Sequence, residues 1–254
     1  MKRAFILLIL TTFIVQISCL YSQDKQDLVK GGYKECIVFK TEYKLGKLDS
    51  ASRFKELLCN YDASGKKILQ ISYQPNGVFE TKALCFYDGK GRIDTIKFFQ
   101  RVDTTELASL EYFTYNDDGD LIETVKAGGD TRLIDEINPA KKASYKYNKQ
   151  GNVIEKTSYQ FDGTLDNKYK YKYDSKGNKT QELITNSDRK VSSRITFKYD
   201  KNRNIIEKIN YVEYGQKINQ KYKYKYDDQG NETEEIIYKN LKEPIEKREY
   251  IYLK

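Results

Sequence analysis

Acid–base chemistry in this chain would have to come from carboxylates, because it contains no histidine at all. That absence excludes Ser-His and Cys-His nucleophile pairs and histidine-based metal sites together. Glu123, Glu155, Glu207 and Glu234 are the set that invites an acid/base reading of the kind used in glycoside hydrolysis. Each follows a tyrosine of a repeated motif by eight residues, so all four occupy one repeated environment. Catalysis needs two carboxylates with unlike pKa values, whereas equivalent positions give like ones. The four read instead as a cross-strand ladder, and no catalytic residue is assigned.

Other chemistries fare no better. The acidic stretches Asn116-Asp117-Asp118-Gly119-Asp120 and Asp200-Lys201-Asn202-Arg203-Asn204 open like calcium loops, yet Ala127 and Tyr211 stand where the bidentate glutamate belongs. No metal is expected. No glycine-rich phosphate loop follows a strand and opens a helix, so no nucleotide cofactor is expected either. In Lys221-Tyr222-Lys223-Tyr224-Lys225-Tyr226, alternation throws lysines and tyrosines onto opposite faces of a strand, and a nucleic-acid strand could not be gripped by both.

The positioning elements are set by a Tyr-Asp or Tyr-Asn signature at Tyr61, Tyr87, Tyr115, Tyr147, Tyr173, Tyr199 and Tyr226, with a last tyrosine at Tyr252, in steps of 26, 28, 32, 26, 26, 27 and 26 residues. Such a period marks an array of one small unit. The clearest copy alternates strictly from Tyr169 to Asp174, turns through Ser175-Lys176-Gly177-Asn178, and returns from Lys179 to Ile184. Alternation is the period of a strand. Asp174 can accept from the turn's backbone and Gly177 can take a left-handed conformation. Arg203 occupies the glycine slot once, and there Asn202 or Asn204 is expected to carry the unusual angle. Looser turns at Pro75-Asn76-Gly77, Asp162-Gly163, Asn186-Ser187-Asp188 and Tyr214-Gly215 close the units.

The predicted fold is all-β: an extended antiparallel meander of tandem hairpins, curled into an open shell or open barrel. One unit cannot repay its ordering entropy, so neighbouring units must cover each other. Insertions at Gly128-Gly129-Asp130 and Asn138-Pro139 are expected as longer loops, and Arg132 to Ile137 as a loop or a short helix. Pairing Asp174 with Asn178 predicts Tyr171 opposite Gln181 and Lys170 opposite Glu182. One face then carries the repeat tyrosines, the four glutamates, Tyr159, Tyr211 and Tyr238. The other carries Lys146, Lys172, Lys198 and Lys225, facing Ile154, Thr180, Ile206 and Thr233.

The division is 1–22 signal peptide, 23–58 a degenerate repeat or cap, and 59–254 the repeats. Lys2 and Arg3 precede an apolar run from Ala4 to Val15, with small residues at Ser18 and Ser22. Cleavage would leave Gln23 first; lipidation at Cys19 is the alternative exit, since Gln16-Ile17-Ser18-Cys19 loosely resembles a lipoprotein box. The apolar run is shorter than a bilayer-spanning helix requires, so the mature chain should have no such span and be secreted, periplasmic or outer-membrane-associated. Cys59 and Cys85 take the place of aromatics two residues before a repeat tyrosine, too far apart to bridge. Cys36 is the better partner for Cys59, across a hairpin centred near Lys47 and Leu48.

At Tyr147-Asn148-Lys149-Gln150-Gly151-Asn152, Tyr173-Asp174-Ser175-Lys176-Gly177-Asn178 and Tyr226-Asp227-Asp228-Gln229-Gly230-Asn231 the chain resembles the YD (Rhs) repeat family of exported and surface bacterial proteins, over about Cys59 to Lys254. The turns are also somewhat similar to MORN-type repeats. Large relatives build β shells around toxic cargo or take part in surface recognition and carbohydrate binding, and the resemblance implies those roles. No cargo domain or aspartyl self-cleavage segment is recognisable here, which argues against a toxin shell. The expectation is a non-catalytic exported protein offering a β surface to a glycan or an envelope protein. Tyr145, Tyr147, Tyr171, Tyr173, Tyr224 and Tyr226 are the candidate binding surface. A structural protein that assembles through unpaired terminal strands is the alternative.

Overall fold

A computed structural model of the chain describes residues 28–100, 107–128, 139–212 and 220–254. The strands are β1 (Glu35–Lys44), β2 (Lys47–Leu48), β3 (Phe54–Tyr61), β4 (Lys67–Tyr73), β5 (Phe79–Tyr87), β6 (Ile93–Gln100), β7 (Leu107–Tyr115), β8 (Leu121–Gly128) and β9 (Pro139–Tyr147). They continue as β10 (Val153–Gln160), β11 (Leu165–Tyr173), β12 (Lys179–Asn186), β13 (Val191–Tyr199), β14 (Ile205–Val212), β15 (Gln220–Tyr226), β16 (Glu232–Lys239) and β17 (Glu243–Leu253). Every neighbouring pair is antiparallel, so the expected meander is present. The proposed export segment, Cys19, Gln23, the Arg132–Ile137 stretch, the Gly129–Asn138 insertion and the Tyr214-Gly215 turn lie outside the described residues.

The open shell is corrected to a closed barrel. Strand β17 pairs with β1 from Glu35↔Leu253 to Glu42↔Glu246, and β1 pairs on its other side with β3. The two-residue β2 is a spur on the end of β1, leaving sixteen of the 17 strands in the ring. Sequence reading treated the terminal strands as edges; an even number of antiparallel strands instead brings them together in the right sense to pair, which removes the edges. Lys40 and Glu246 meet across this seam at 2.7 Å. Sixteen strands at their usual spacing and tilt make a ring about 30 Å across between backbones.

One rim holds the Tyr-Asp turns. Asp174 N–H donates to Asn178 O at 2.9 Å and Gly177 N–H to Asp174 O at 3.1 Å. Asp174 Oδ1 accepts from the backbone N–H of Lys176 and of Asn178, each at 2.9 Å. Gly177 sits at φ +79°, where a side chain would be strained. The Arg203 turn differs from expectation: Arg203 itself adopts φ 70°. Its guanidinium reaches the preceding turn, with Nε donating to Asn178 Oδ1 at 2.8 Å and Nη2 to Lys176 O at 2.9 Å, contacts that offset the backbone cost.

The register follows the prediction at the turn and then slips. Tyr173 pairs with Lys179, but Lys172 pairs with Gln181 and Tyr171 with Glu182, because Thr180 is an extra, bulged residue. The same bulge follows the turns before β10, β14 and β16. A one-residue slip transfers every later side chain to the opposite face. The glutamates therefore share a face with the lysines, and the predicted tyrosine-plus-glutamate face does not exist.

The repeat tyrosines bind the units together. Tyr87, Tyr115, Tyr147, Tyr173, Tyr199, Tyr226 and Tyr252 each donate the phenolic O–H to the carbonyl that opens the preceding return strand, at Lys67, Ile93, Leu121, Val153, Lys179, Ile205 and Glu232. Apolar packing concentrates on the inner face of the first half, in a cluster of Ala83, Cys85, Ile96, Phe98, Phe113 and Leu121 and a second of Cys36, Val38 and Cys59.

Candidate functional site

The inner wall is built by two repeated positions. Two residues before the repeat tyrosine stand Cys59, Cys85, Phe113, Tyr145, Tyr171, Phe197, Tyr224 and Tyr250; nine residues after it stand Gln70, Ile96, Thr124, Lys156, Glu182, Lys208 and Glu235. The first half of this second row is neutral. The second half alternates lysine and glutamate on successive return strands β10, β12, β14 and β16.

Aromatic rings carry the lysines. Lys156 Nζ lies 5.7 Å from the Tyr145 ring centre and 5.5 Å from that of Tyr169. Lys208 Nζ lies 4.7 Å from the ring centre of Tyr222. Such contacts strengthen as the ammonium loses water. Burial pulls both ammonium groups below the usual lysine value, against the opposing pull of Glu111 and Glu182 on Lys156 and of Glu235 and Glu182 on Lys208. Burial likewise pushes the phenols of Tyr145 and Tyr222 up to about 12. It raises Tyr171 and Tyr224 further, with Glu182 and Glu235 adding to the effect.

The row ends at Arg248 beside the seam. Its Nε and Nη2 donate to the two carboxylate oxygens of Glu56 at 2.6 and 3.1 Å, and Nη1 donates to Glu235 Oε2 at 2.7 Å. Glu246 Oε1 stands 2.6 Å from Nη2. Burial works against this cation, yet the Glu56 hydrogen bonds and the nearby carboxylates keep its pKa above the ordinary arginine value. Among the described residues close backbone contacts between strands run only between neighbours in the ring, while side chains such as Arg248 and Glu56 reach across one intervening strand; a ring of sixteen strands is wide enough to surround a lumen.

The outer wall is a different surface. Glu155 pairs with Lys146 at 3.1 Å and Lys168 at 2.9 Å. Glu207 pairs with Lys198 and Lys221 at 2.7 Å each, Glu234 with Lys225 at 2.7 Å and Lys247 at 3.0 Å, and Glu123 with Lys142. Hydrogen bonds from Lys198 and then Lys221 hold the Glu207 carboxyl below its ordinary value. The hairpin lysines Lys146, Lys198 and Lys225 remain in water, their side chains being 70–72% exposed, whereas the diagonal Lys221 and Lys247 are largely covered. Further cations cover outer rings, Arg194 over Tyr211 at 4.8 Å and Lys223 over Tyr238 at 5.8 Å. A lipid-facing barrel needs an apolar band about 25 Å tall, which such a wall does not offer. No helix among the described residues is long and apolar enough to cross a membrane.

The six candidate tyrosines divide between two roles. Tyr145, Tyr171 and Tyr224 face the lumen. Tyr147, Tyr173 and Tyr226 use their hydroxyls on Leu121 O, Val153 O and Ile205 O at 2.6, 2.6 and 2.8 Å, as staples at the rim. The acidic turn at Asn116 is internally satisfied, its Oδ1 accepting from Asp120 N–H at 2.7 Å. Cys36 stands directly opposite Cys59 in register, both buried. Cys59 is a thiol here, its Sγ–H turned to Gln70 Oε1 at 3.9 Å, so a bridge to Cys36 is a proposal for the oxidised protein. Burial raises the Cys85 thiol to about 11.

Sequence reasoning missed Lys156, Glu182, Lys208, Glu235 and Arg248. Aligning the repeats on their tyrosines would have exposed the alternating row, since all four return-strand members share one offset.

No protein-family model matches the chain, and no curated protein matches it. Among solved structures it is similar to the Photorhabdus luminescens Tc holotoxin pore, at 18% identity and a TM-score of 0.34, covering 78% of this chain but 10% of that one. Two others are described as porin-like proteins, from Bacteroides uniformis at 11% identity and a TM-score of 0.35 and from Bacteroides vulgatus at 14% and 0.41. These span nearly their whole length, 96% and 98%, against 87% and 85% of this chain.

Proposed function

We propose that this chain is a non-catalytic exported barrel of the bacterial cell envelope that takes an elongated ligand, a glycan or a polypeptide segment, against its inner wall. The observation that carries this reading is the inner surface itself: aromatic rings and alternating charges line the inner wall of a closed sixteen-stranded ring. Tyrosine combines apolar area with a hydroxyl, which suits both sugar rings and peptide groups. Two further features support it. Glu123, Glu155, Glu207 and Glu234 are each engaged by lysine on the outer wall, which leaves that set poorly placed for general acid or base work. The pairing of β1 with β17 occupies the two strands through which edge-to-edge assembly was expected to proceed.

The test uses the mature protein against soluble glycan and peptide panels. Tyrosine fluorescence serves as the intrinsic probe, because the chain has no tryptophan. Ligands should be lost in Tyr171→Ala and Tyr224→Ala and retained in the outer-wall variant Tyr238→Ala. Equal loss in the outer variant, or no ligand in either panel, would contradict the reading.

A further inference from the structure

In the second half of the ring, from β9 to β17, the outer wall repeats one ion-paired unit and breaks it once. Each unit consists of a lysine one residue before the repeat tyrosine, a glutamate across the hairpin, and a diagonal cation on the following strand: Lys146–Glu155–Lys168, Lys198–Glu207–Lys221 and Lys225–Glu234–Lys247. The corresponding trio on β11, β12 and β13 is Lys172, Gln181 and Arg194. Lys172 pairs in register with Gln181, and Gln181 with Thr196, two residues from Arg194. Glutamine stands where the other units carry the acid.

Two cations are thereby left without the carboxylate that their counterparts have. Among the described residues no carboxylate lies within ion-pair distance of Lys172 or Arg194, nor of Lys170 on the same face, and all three are exposed. Lys146 and Lys198 flank the gap on the outer face, so cations stand about 10 Å apart across alternate strands. Gln181, Thr180 and Thr196 lie between them and supply amide and hydroxyl groups.

We propose that this gap is a second binding site, for an acidic polysaccharide laid across β11 to β13. A row of cations at fixed intervals complements a polymer with anions at fixed intervals, and hydroxyls suit amide and threonine partners. A single-stranded nucleic acid would call for open aromatic faces between the cations, and the nearby Tyr211 ring is covered by Arg194. The site is separate from the lumen and does not depend on the lumen's having a ligand.

The experiment measures binding of alginate, a polyuronate, to the mature protein, with dextran as neutral polymer and a single-stranded DNA oligonucleotide as the other anion. Alginate should bind, dextran should not, and affinity should fall with added salt. Gln181→Glu restores the missing acid and should weaken alginate binding about tenfold with unchanged circular dichroism, as expected of a change in surface charge complementarity. Glu207→Gln opens a second gap and should strengthen it. Equal binding by the parent and both variants, binding of dextran, absence of alginate binding, or tighter binding of DNA than of alginate at equal salt would each overturn the proposal.

Discussion

Replacing Arg248 with methionine should weaken the barrel at its seam. The guanidinium on β17 holds Glu56 on β3, Glu235 on β16 and Glu246 on its own strand, with oxygens between 2.6 and 3.1 Å. Methionine keeps much of the volume and removes the charge, leaving three carboxylates within one mostly buried pocket. Breaking one partner out of a buried ion pair costs about 3–5 kcal/mol, which corresponds to a fall in Tm of about 6–20 °C for a chain of this size. Urea unfolding followed by circular dichroism would measure the loss. Adding Glu56→Gln to Arg248→Met removes one of the stranded charges and should recover about 1 kcal/mol or more. An Arg248→Met protein within about 0.5 kcal/mol of the parent, or one that Glu56→Gln makes worse, would refute the reasoning.

Three other outcomes are expected. Tyr173→Phe removes the phenolic donor from Val153 O and should cost about 1–3 kcal/mol in urea unfolding, whereas Lys172→Thr on the outer wall should stay within about 0.5 kcal/mol. Arg203→Ala should cost about 1–2 kcal/mol, because it loses both bonds to the neighbouring turn while keeping a left-handed backbone; Arg203→Gly should cost less, the φ of 70° being free for glycine. In an alkaline titration read by tyrosinate absorbance, Tyr145 and Tyr222 should ionise near 12 instead of 10.0, as burial favours the neutral phenol. With the folded value raised, the stability they contribute is complete below pH 10.0 and is lost as pH climbs through 12, so their ionisation should accompany unfolding. Titration of every tyrosine near pH 10 in a still folded barrel would contradict it.

The repeat made most of this architecture legible. Spacing of the tyrosines, alternation from Tyr169 to Tyr173 and the Asp174-to-Asn178 loop sufficed for hairpins, turns and meander, since each depends only on residues close in sequence. Two features were not local. The bulge at Thr180 leaves the alternating pattern intact on either side, so nothing in the strand itself announces that Glu182 rather than Gln181 faces Tyr171. The clue was the companionship of Lys146 with Glu155, Lys198 with Glu207 and Lys225 with Glu234, read across repeats. Closure was hidden for another reason: Glu35 and Leu253 are as far apart in sequence as the barrel permits, and only the sum of twist and strand number decides whether they meet. The lumen row followed from closure, because an inner wall exists only once the ring is shut.

Hydrogen exchange resolved by peptide at β1 and β17 tests closure most directly. In a closed ring residues 35–40 pair with both β17 and β3 and residues 246–249 with both β16 and β1, and their amides should be protected as strongly as those of interior strands such as β5 and β6. Rapid exchange of alternate amides along both terminal strands, with interior strands still protected, would mean that the sheet has two free edges and no lumen.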